Sequence, residues 1–448
     1  MVYDLCLERA TLITCDAADR VIEDGAICIT GNRLEYVGPR NAMPAAAVAK
    51  RTLDLAGRVI TPGLVNVHTH AILSMVRGVA EDLGFAPAYT PGIPHGHDVT
   101  PEEAWALSRL GALEALLAGS TLINDTYVHA DVTSGAMAAL GLRVWNCGRI
   151  HDADFSLIGE GRWEHHTAIG EKTLGEALAL ADRWHGKENG RVGVQLAAHA
   201  PDTCSDDFLV EIRKAAESRG LRVNTHLAQS RTEIAQIRRR SNKTPAELLE
   251  DVGLLNERLT AAHCIFVTDT DITRCGRAGI SIAHIPKGNA TGGTIAPIGK
   301  LRAAGAQLAL GTDNMHGDMV EVMRWALAMG RVLEGGVSQA WQPKDVLRAA
   351  TMGGARAMGL GAEIGSLEAG KKADLVAFDF RRPHLVPAVN PVGTLVHTGQ
   401  GRDVEIVFVD GRMVVENGRP TLVDMETILC DAQRAADALW QRAGSEAQ

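Results

Sequence analysis

The feature that most constrains the fold is an alternation of short apolar runs with helical stretches between about residues 59 and 360. Eight runs have the length and composition of β-strands, at 64–70, 121–125, 142–147, 192–199, 221–227, 259–263, 279–284 and 307–313. One intervening helix is marked by Thr100 as N-cap, Pro101 in the first turn and Glu103 at the capping-box position. Eight such repeats favour a closed parallel (β/α)8 barrel, although the count also fits an open, doubly wound sheet.

Both ends of the chain have a different pattern, with short strands separated by turn residues. Residues 10–14, 26–30 and 33–37 form an antiparallel meander in this interpretation, and 373–378, 404–409 and 412–415 resemble it, with a hairpin turn at Asp410-Gly411. We therefore expect one small β-sandwich built from both ends. The predicted division is 1–58 and 363–448 for the sandwich, with a terminal helix near 424–443, and 59–362 for the barrel.

Composition narrows the class of protein and its partners. The 448 residues are 46% hydrophobic and carry a net charge of -9, and the one basic run is Arg238 to Arg240. Nucleic acid and membranes are therefore poor partners, and a small-molecule substrate is expected. The first residues lack the order of a secretory signal. The eight cysteines contain no C-x-x-C pair, which argues against a disulfide framework and predicts a reduced, cytoplasmic protein.

Histidines and aspartates recur where the predicted strands end. His68 and His70 are two residues apart on one strand, so their side chains point the same way. Strand-capping and core histidines are the alternative, but 16 histidines placed at random would rarely collect at strand ends. In a barrel these ends meet, which favours a divalent metal site there. The residues at or next to strand ends are His68, His70, Asp125, His199, His226, His263, His284 and Asp313.

With these residues assembled, the sequence resembles the amidohydrolase superfamily, in the branch of S-adenosylhomocysteine and methylthioadenosine deaminases, guanine deaminase and triazine hydrolases. The matching segments are PGLVNVHTH (62–70), HAP (199–201), THLA (225–228), AHC (262–264), NATGGTIAP (289–297), GTDN (311–314) and GSLEAGKKADL (365–375). The resemblance implies one divalent ion held by His68, His70, His226 and Asp313, with Zn as the first choice and Fe as the alternative. His199 stands where two-metal members carry a carboxylated lysine, which favours a single ion.

The resemblance also implies the catalytic roles. The ion lowers the pKa of a water molecule to supply hydroxide, Asp313 takes and returns the proton, and His263 orients the nucleophile or polarises the substrate. Deaminases of this branch carry His-x-x-Glu, whereas this chain has Gln229 at that position. An amide cannot shuttle a proton near neutral pH. Glu233 is a possible substitute, but a solvated helix position is the more common interpretation of such a glutamate.

Two chemistries remain compatible with this set of residues. One is hydrolytic displacement at a carbon of an amino-substituted N-heterocycle, as in deaminases and triazine hydrolases. The other is hydrolysis of an amide, urea or carbamate, which Gln229 favours because no ring nitrogen then needs a proton. A third hypothesis is a catalytically silent homologue that only binds a ligand. The proposed metal ligands and His263 are all intact, which argues against it.

Five further residues are expected to contact substrate because each follows a predicted strand end: Glu81, Tyr127, Arg149, His199 and Asn314. A loop rich in proline and glycine, 84–98, is expected to cover the barrel mouth, and its His95 and His97 could ligate a metal although no strand orients them. Members of the family are often homodimers or larger assemblies. The expectation that this protein is a homo-oligomer rests on the resemblance alone.

Overall fold

The structure, a computed structural model, describes residues 2–44, 48–83, 90 and 92–446. Its strands are β1 (Val2–Ile13), β2 (Val21–Thr30), β3 (Arg33–Pro39), β4 (Val48–Asp54), β5 (Arg58–Pro62), β6 (Leu64–Thr69), β7 (Ser120–Tyr127), β8 (Arg143–Ile150), β9 (Val192–Val194), β10 (Leu196–Ala198), β11 (Val223–Leu227), β12 (Leu259–His263), β13 (Ser281–His284), β14 (Gln307–Leu310), β15 (Leu375–Asp379), β16 (Val404–Val409), β17 (Arg412–Glu416) and β18 (Arg419–Pro420).

The helices follow the strands in alternation through the middle of the chain. They are α1 (Ala80–Leu83), α2 (Pro101–Leu117), α3 (Ala130–Ala138), α4 (Phe155–Ile158), α5 (Thr167–Trp184), α6 (Lys187–Gly190), α7 (Asp206–Arg219), α8 (Arg231–Ser241), α9 (Pro245–Asp251), α10 (Asp269–Ala278), α11 (Pro286–Thr291), α12 (Ile298–Ala303), α13 (Met319–Leu333), α14 (Pro343–Arg348), α15 (Gly354–Ala357), α16 (Pro391–Thr398) and α17 (Met425–Glu446).

The predicted barrel is confirmed. Parallel strands follow one another in the order β14-β13-β12-β11-β10-β8-β7-β6, and β9 pairs with β8. The fourth predicted strand is divided into β9 and β10 at Gln195. The two ends of the sheet meet where the Asp313 amide donates to the His68 carbonyl at 3.0 Å and the His70 amide donates to the Asp313 carbonyl at 3.1 Å. Barrel closure therefore brings the first and last strand ends, and their side chains, together.

Local sequence signals explain why these elements form. β7 is buried along its whole length, as expected for a strand with helices on one side and the barrel interior on the other. The cap of α2 is confirmed, because Thr100 Oγ1 accepts from the Glu103 amide at 3.2 Å and the Thr100 amide donates to the Glu103 carboxylate at 2.9 Å. Among the described residues, no helix combines the length and apolar character needed to cross a membrane.

Strands from both chain ends join in a second sheet, as predicted. Its order is β18-β17-β16-β15-β5-β1-β2-β3, with β4 paired to β1. The junction between the two ends is the antiparallel pair β5–β15, in which Thr61 lies opposite Val376. Asp410 and Gly411 both have positive φ, 51° and 77°, as a two-residue hairpin of the favoured hand requires. The two ends share one core, which includes Leu7, Ile27, Ile60, Leu375 and Phe408.

The expectation of reduced cysteines is wrong for one pair. Cys6 on β1 lies directly opposite Cys28 on β2, and the two are joined as a disulfide. Their separation of 22 residues in the sequence gave no indication of this pairing, which follows from the register of the two strands. The other six cysteines are free, and five of them are buried.

Gly63 separates β5 of the second sheet from β6 of the barrel and is the point at which the chain passes between them. A Cβ atom at this position would lie 2.0 Å from Thr121 Oγ1. We expect Gly63→Ala to lower the free energy of unfolding by about 1–3 kcal/mol through this overlap. Urea denaturation would measure the change. Gly175→Ala in α5 is the matched control, since its Cβ would meet open space and alanine favours a helix; equal losses in both variants would contradict the steric explanation.

Candidate metal centre

Four polar side chains converge at the carboxyl ends of the barrel strands. His68 lies on β6, His70 directly follows it, His226 lies on β11, and Asp313 follows β14. His70 Nε2 lies 3.4 Å from His226 Nε2, and Asp313 Oδ1 lies 3.3 Å from His70 Nε2 and 3.6 Å from His68 Nε2. All four residues are buried. The structure therefore brings together the whole ligand set that the resemblance implied.

Backbone carbonyls orient two of the imidazoles. His70 Nδ1 donates to the Thr126 carbonyl, and His226 Nδ1 donates to the His199 carbonyl at 2.6 Å. This places the proton on Nδ1 and leaves Nε2 of each ring with a lone pair directed into the cluster. His68 Nε2 is buried there and has no hydrogen-bond partner in the part of the chain that the structure describes. An unpaired buried nitrogen is costly unless a ligand satisfies it, so these residues fit a divalent metal ion.

The charges of His68, His226 and Asp313 support the same conclusion, whereas His70 is the ring that Asp313 favours in the protonated form. Burial lowers the pKa of His68 to about 4 and that of His226 well below its ordinary value. Burial opposes protonation of His70 as well, but hydrogen bonding to Asp313 outweighs it and raises the pKa. Burial would raise the pKa of Asp313, yet His68 and His70 hold it well below the usual range. Neutral imidazoles and an ionised carboxylate are the forms that bind divalent transition metals.

His263 stands beside this cluster at the end of β12. Its Nδ1 donates to Asn289 Oδ1 at 3.0 Å, and its Nε2 lies 4.0 Å from Asp313 Oδ2. His263 and Asp313 both have positive φ, 71° and 65°, which non-glycine residues rarely adopt. Such backbone strain is typical of functional sites. Asn289 belonged to a matching motif, but nothing in the sequence indicated its role as the partner of His263.

Gln229 follows His226 by three residues and is half-buried. Its backbone is fixed by Glu233, whose carboxylate oxygens accept from the amides of Ala228 and Gln229, both at 2.8 Å. The expectation that Glu233 is solvated is wrong, since its side chain is fully buried. Burial raises the pKa of Glu233 well above its ordinary value. Because both of its oxygens are occupied by backbone amides, Glu233 positions this turn.

Three of the five expected substrate residues, Tyr127, His199 and Arg149, lie close to the histidine rings or line a cavity. The ring centroid of Tyr127 lies 5.8 Å from that of His70, and the ring centroid of His199 lies 5.0 Å from that of His226. Tyr127 and His199 are both buried. Arg149 lies above the rings of Tyr127 and Phe155, and these three residues line a cavity of about 340 Å³. Phe155 was missed because the run that contains it resembles an ordinary helix start.

The other two expected substrate residues are Asn314, which lies beside the metal centre, and Glu81, whose described contact is elsewhere. Asn314 is buried next to Asp313. The Glu81 carboxylate accepts from the Gly78 amide at 2.9 Å, which is a local turn contact rather than a contact with the histidine cluster. Of the loop predicted to cover the mouth, residues 84–89 and 91 lie outside the described residues, whereas His95 and His97 line the cavity.

Comparison with known proteins agrees with this architecture. The Amidohydrolase family matches residues 59–414. The chain is 37% identical over 423 residues to a 5-methylthioadenosine/S-adenosylhomocysteine deaminase of Desulforudis audaxviator, covering 93% of this chain and 95% of that protein.

Two solved structures share the fold. One is an adenosine deaminase from Xanthomonas campestris with bound zinc, with a TM-score of 0.88, 26% identity and coverage of 98% of this chain and 99% of the other. The second is the atrazine chlorohydrolase TrzN of Arthrobacter aurescens complexed with zinc, with a TM-score of 0.85, 24% identity and coverage of 96% and 100%. The chain therefore belongs to the amidohydrolase family of metal-dependent hydrolases.

Proposed function

We propose that this enzyme is a zinc-dependent deaminase that replaces the exocyclic amino group of an adenosine-like nucleoside with oxygen and releases ammonia. The observation that carries the proposal is the position of Asp313, which faces the ligand histidines with one carboxylate oxygen and His263 with the other. The deaminase named among its relatives supports the substrate class. The zinc in a related deaminase and the ligand set of three imidazoles with one carboxylate support zinc over iron.

His68, His70, His226 and Asp313 would hold the ion, which supplies a hydroxide nucleophile near neutral pH when it is bound. Asp313 Oδ2, which lies 4.0 Å from His263 Nε2, would accept the proton of the attacking water and deliver it to the departing amine. His263, fixed by Asn289, presents Nε2 to the reacting group and orients it. Tyr127, Arg149 and His199 would contact the substrate in the adjoining cavity.

In this proposal Gln229 changes how the ring nitrogen of the substrate is contacted. Among the described residues, its side-chain amide has no hydrogen-bond partner, while its backbone is fixed by Glu233. The amide can donate a hydrogen bond to a ring nitrogen but cannot protonate it. Asp313 and His263 would then manage the proton transfers.

Gln229→Ala tests this hydrogen bond. One neutral hydrogen bond is worth about 0.5–1.5 kcal/mol, so we expect kcat/KM to fall by about 2- to 13-fold while the bound metal is unchanged. Steady-state kinetics and metal analysis would measure both quantities. Gln236→Ala on α8 is the control. An unchanged kcat/KM for Gln229→Ala would show that the amide does not contact the substrate.

A second candidate function is hydrolysis of an amide, urea or carbamate, which Gln229 favours because this reaction needs no proton on a ring nitrogen. One experiment separates the two. Zinc-loaded enzyme is incubated with adenosine, methylthioadenosine, aminotriazines, pterins, phenylureas, anilides and carbamates, and products are identified by mass spectrometry. Exchange of NH for O on an intact purine supports the proposal. Cleavage of an amide, urea or carbamate into two fragments, with the purines unchanged, would replace it with the second function.

A further inference from the structure

We propose a second divalent metal site, formed by His95, His97 and Asp98 at the rim of the cavity and separate from the buried centre. The three residues lie within one short 3₁₀ turn, Gly96–Asp98, and its N-cap. One ligand atom from each lies within 4.8 Å of the others. The ligand expected there is a divalent transition ion such as Zn²⁺, Ni²⁺ or Co²⁺.

The distances suit coordination after a small movement. His97 Nε2 lies 3.3 Å from Asp98 Oδ1, and His95 Nδ1 lies 3.9 Å from Asp98 Oδ2. Ligand atoms that bind zinc tetrahedrally at about 2.0–2.1 Å lie about 3.4 Å apart. The first pair is already at this spacing. The 3.9 Å contact of His95 is with the other carboxylate oxygen, so the His95 ring would have to move towards Oδ1 and His97, which lie within 4.8 Å of it.

Hydrogen bonds prepare two of the three ligands. His95 Nε2 donates to the Thr90 carbonyl at 2.9 Å, which leaves the lone pair on Nδ1, the atom that faces Asp98. A ligating histidine commonly has such a carbonyl partner on its other nitrogen. Asp98 Oδ2 accepts from the His95 amide at 2.6 Å, so the carboxylate is held in place while Oδ1 faces His97.

The turn that carries the proposed metal ligands lies at the edge of the cavity. His95 and His97 line the same cavity as Tyr127 and Arg149. Gly96 packs so closely on Tyr127 that a Cβ atom would lie 3.1 Å from the ring. The His97 side chain is 59% exposed. Three protein ligands at an exposed rim leave open coordination positions, so this ion should exchange faster and bind more weakly than an ion in the buried centre.

Metal stoichiometry tests the site. Each protein is dialysed against buffered free Zn²⁺ over a range of concentrations, and the bound zinc is measured by elemental mass spectrometry. We expect wild type to bind one ion tightly and a second at higher free zinc, and His97→Ala to bind the second at least ten times more weakly. Asp98→Asn keeps an oxygen for the His95 amide and should weaken the second ion similarly, which guards against a folding defect in either variant.

His166→Ala is the matched control, because His166 is another exposed histidine, with Glu164 3.9 Å away, and no third ligand joins this pair among the described residues. It should retain the second ion. A single ion in wild type at every zinc concentration, a second ion retained by His97→Ala, or its loss in His166→Ala would each overturn the proposal. Because the readout is bound metal, the test is independent of the substrate proposed above.

Discussion

Asp313→Asn is expected to lower kcat by about a hundred- to ten-thousand-fold, the range typical of losing a positioned acid–base group. The variant loses the negative charge that faces His68 and His70 and the oxygen that faces His263. Asparagine has nearly the same shape. The backbone contacts of residue 313 that close the barrel, to His68 and His70, do not depend on its side chain. Activity should therefore fall much more than stability does.

Three measurements separate the role of Asp313 from a folding effect. Ammonia release gives kcat, elemental analysis gives the bound metal, and thermal unfolding gives stability. Asp269→Asn is the control, since its side chain is 85% exposed at the start of α10, and it should behave as wild type. If Asp313→Asn keeps its metal and turns over within tenfold of wild type, Asp313 does not carry the proton in this reaction.

Arg143→Ala is expected to lower the free energy of unfolding by about 3–5 kcal/mol, because it leaves the buried Asp374 carboxylate without its charged partner. Arg143 lies on β8 of the barrel and bonds to two aspartates of the second sheet. The distances are 2.5 and 2.9 Å to Asp374 and 2.7 Å to Asp410. Burial opposes the charge on Arg143, but these carboxylates outweigh it and raise the pKa. The guanidinium therefore joins the two sheets.

Arg9→Ala is the matched control for this ion pair. Arg9 bonds to Asp54 at 2.7 Å, but both side chains are more than half exposed, and such pairs contribute about 0–1 kcal/mol. Urea denaturation of both variants measures the difference. Similar losses in Arg143→Ala and Arg9→Ala would show that burial of the Arg143 pairs contributes little, and that the sheets are held together by apolar contacts.

The barrel was predictable because its strands are buried on both faces and therefore appear as uninterrupted apolar runs. The ligand residues were predictable for a related reason. Parallel strands place their carboxyl ends at one rim, so histidines and aspartates at the strand ends were expected to gather there. The family resemblance then selected His68, His226 and Asp313 among them as ligands. The hairpin at Asp410-Gly411 was predictable from two residues that accept positive φ.

Features that depend on distant partners were not predictable in this way. Helical periodicity predicts that Glu233 lies on α8. It gives no information about the turn after β11, whose backbone amides donate hydrogen bonds to the Glu233 carboxylate. The Cys6–Cys28 bridge depends on the register of β1 and β2. The lining of the cavity includes Arg149 on β8 and Phe155 on α4, whose contact depends on how the segment between these two elements folds.

Zinc titration tests most directly whether a divalent ion in the buried centre supports deamination of an adenosine-like nucleoside. Metal-free enzyme is titrated with Zn²⁺ while ammonia release from methylthioadenosine is followed. We expect no turnover without metal, a linear rise in rate as zinc is added, and a plateau at one ion per chain. Full turnover by the metal-free enzyme, a plateau only at two ions, or no ammonia at any zinc loading would contradict it.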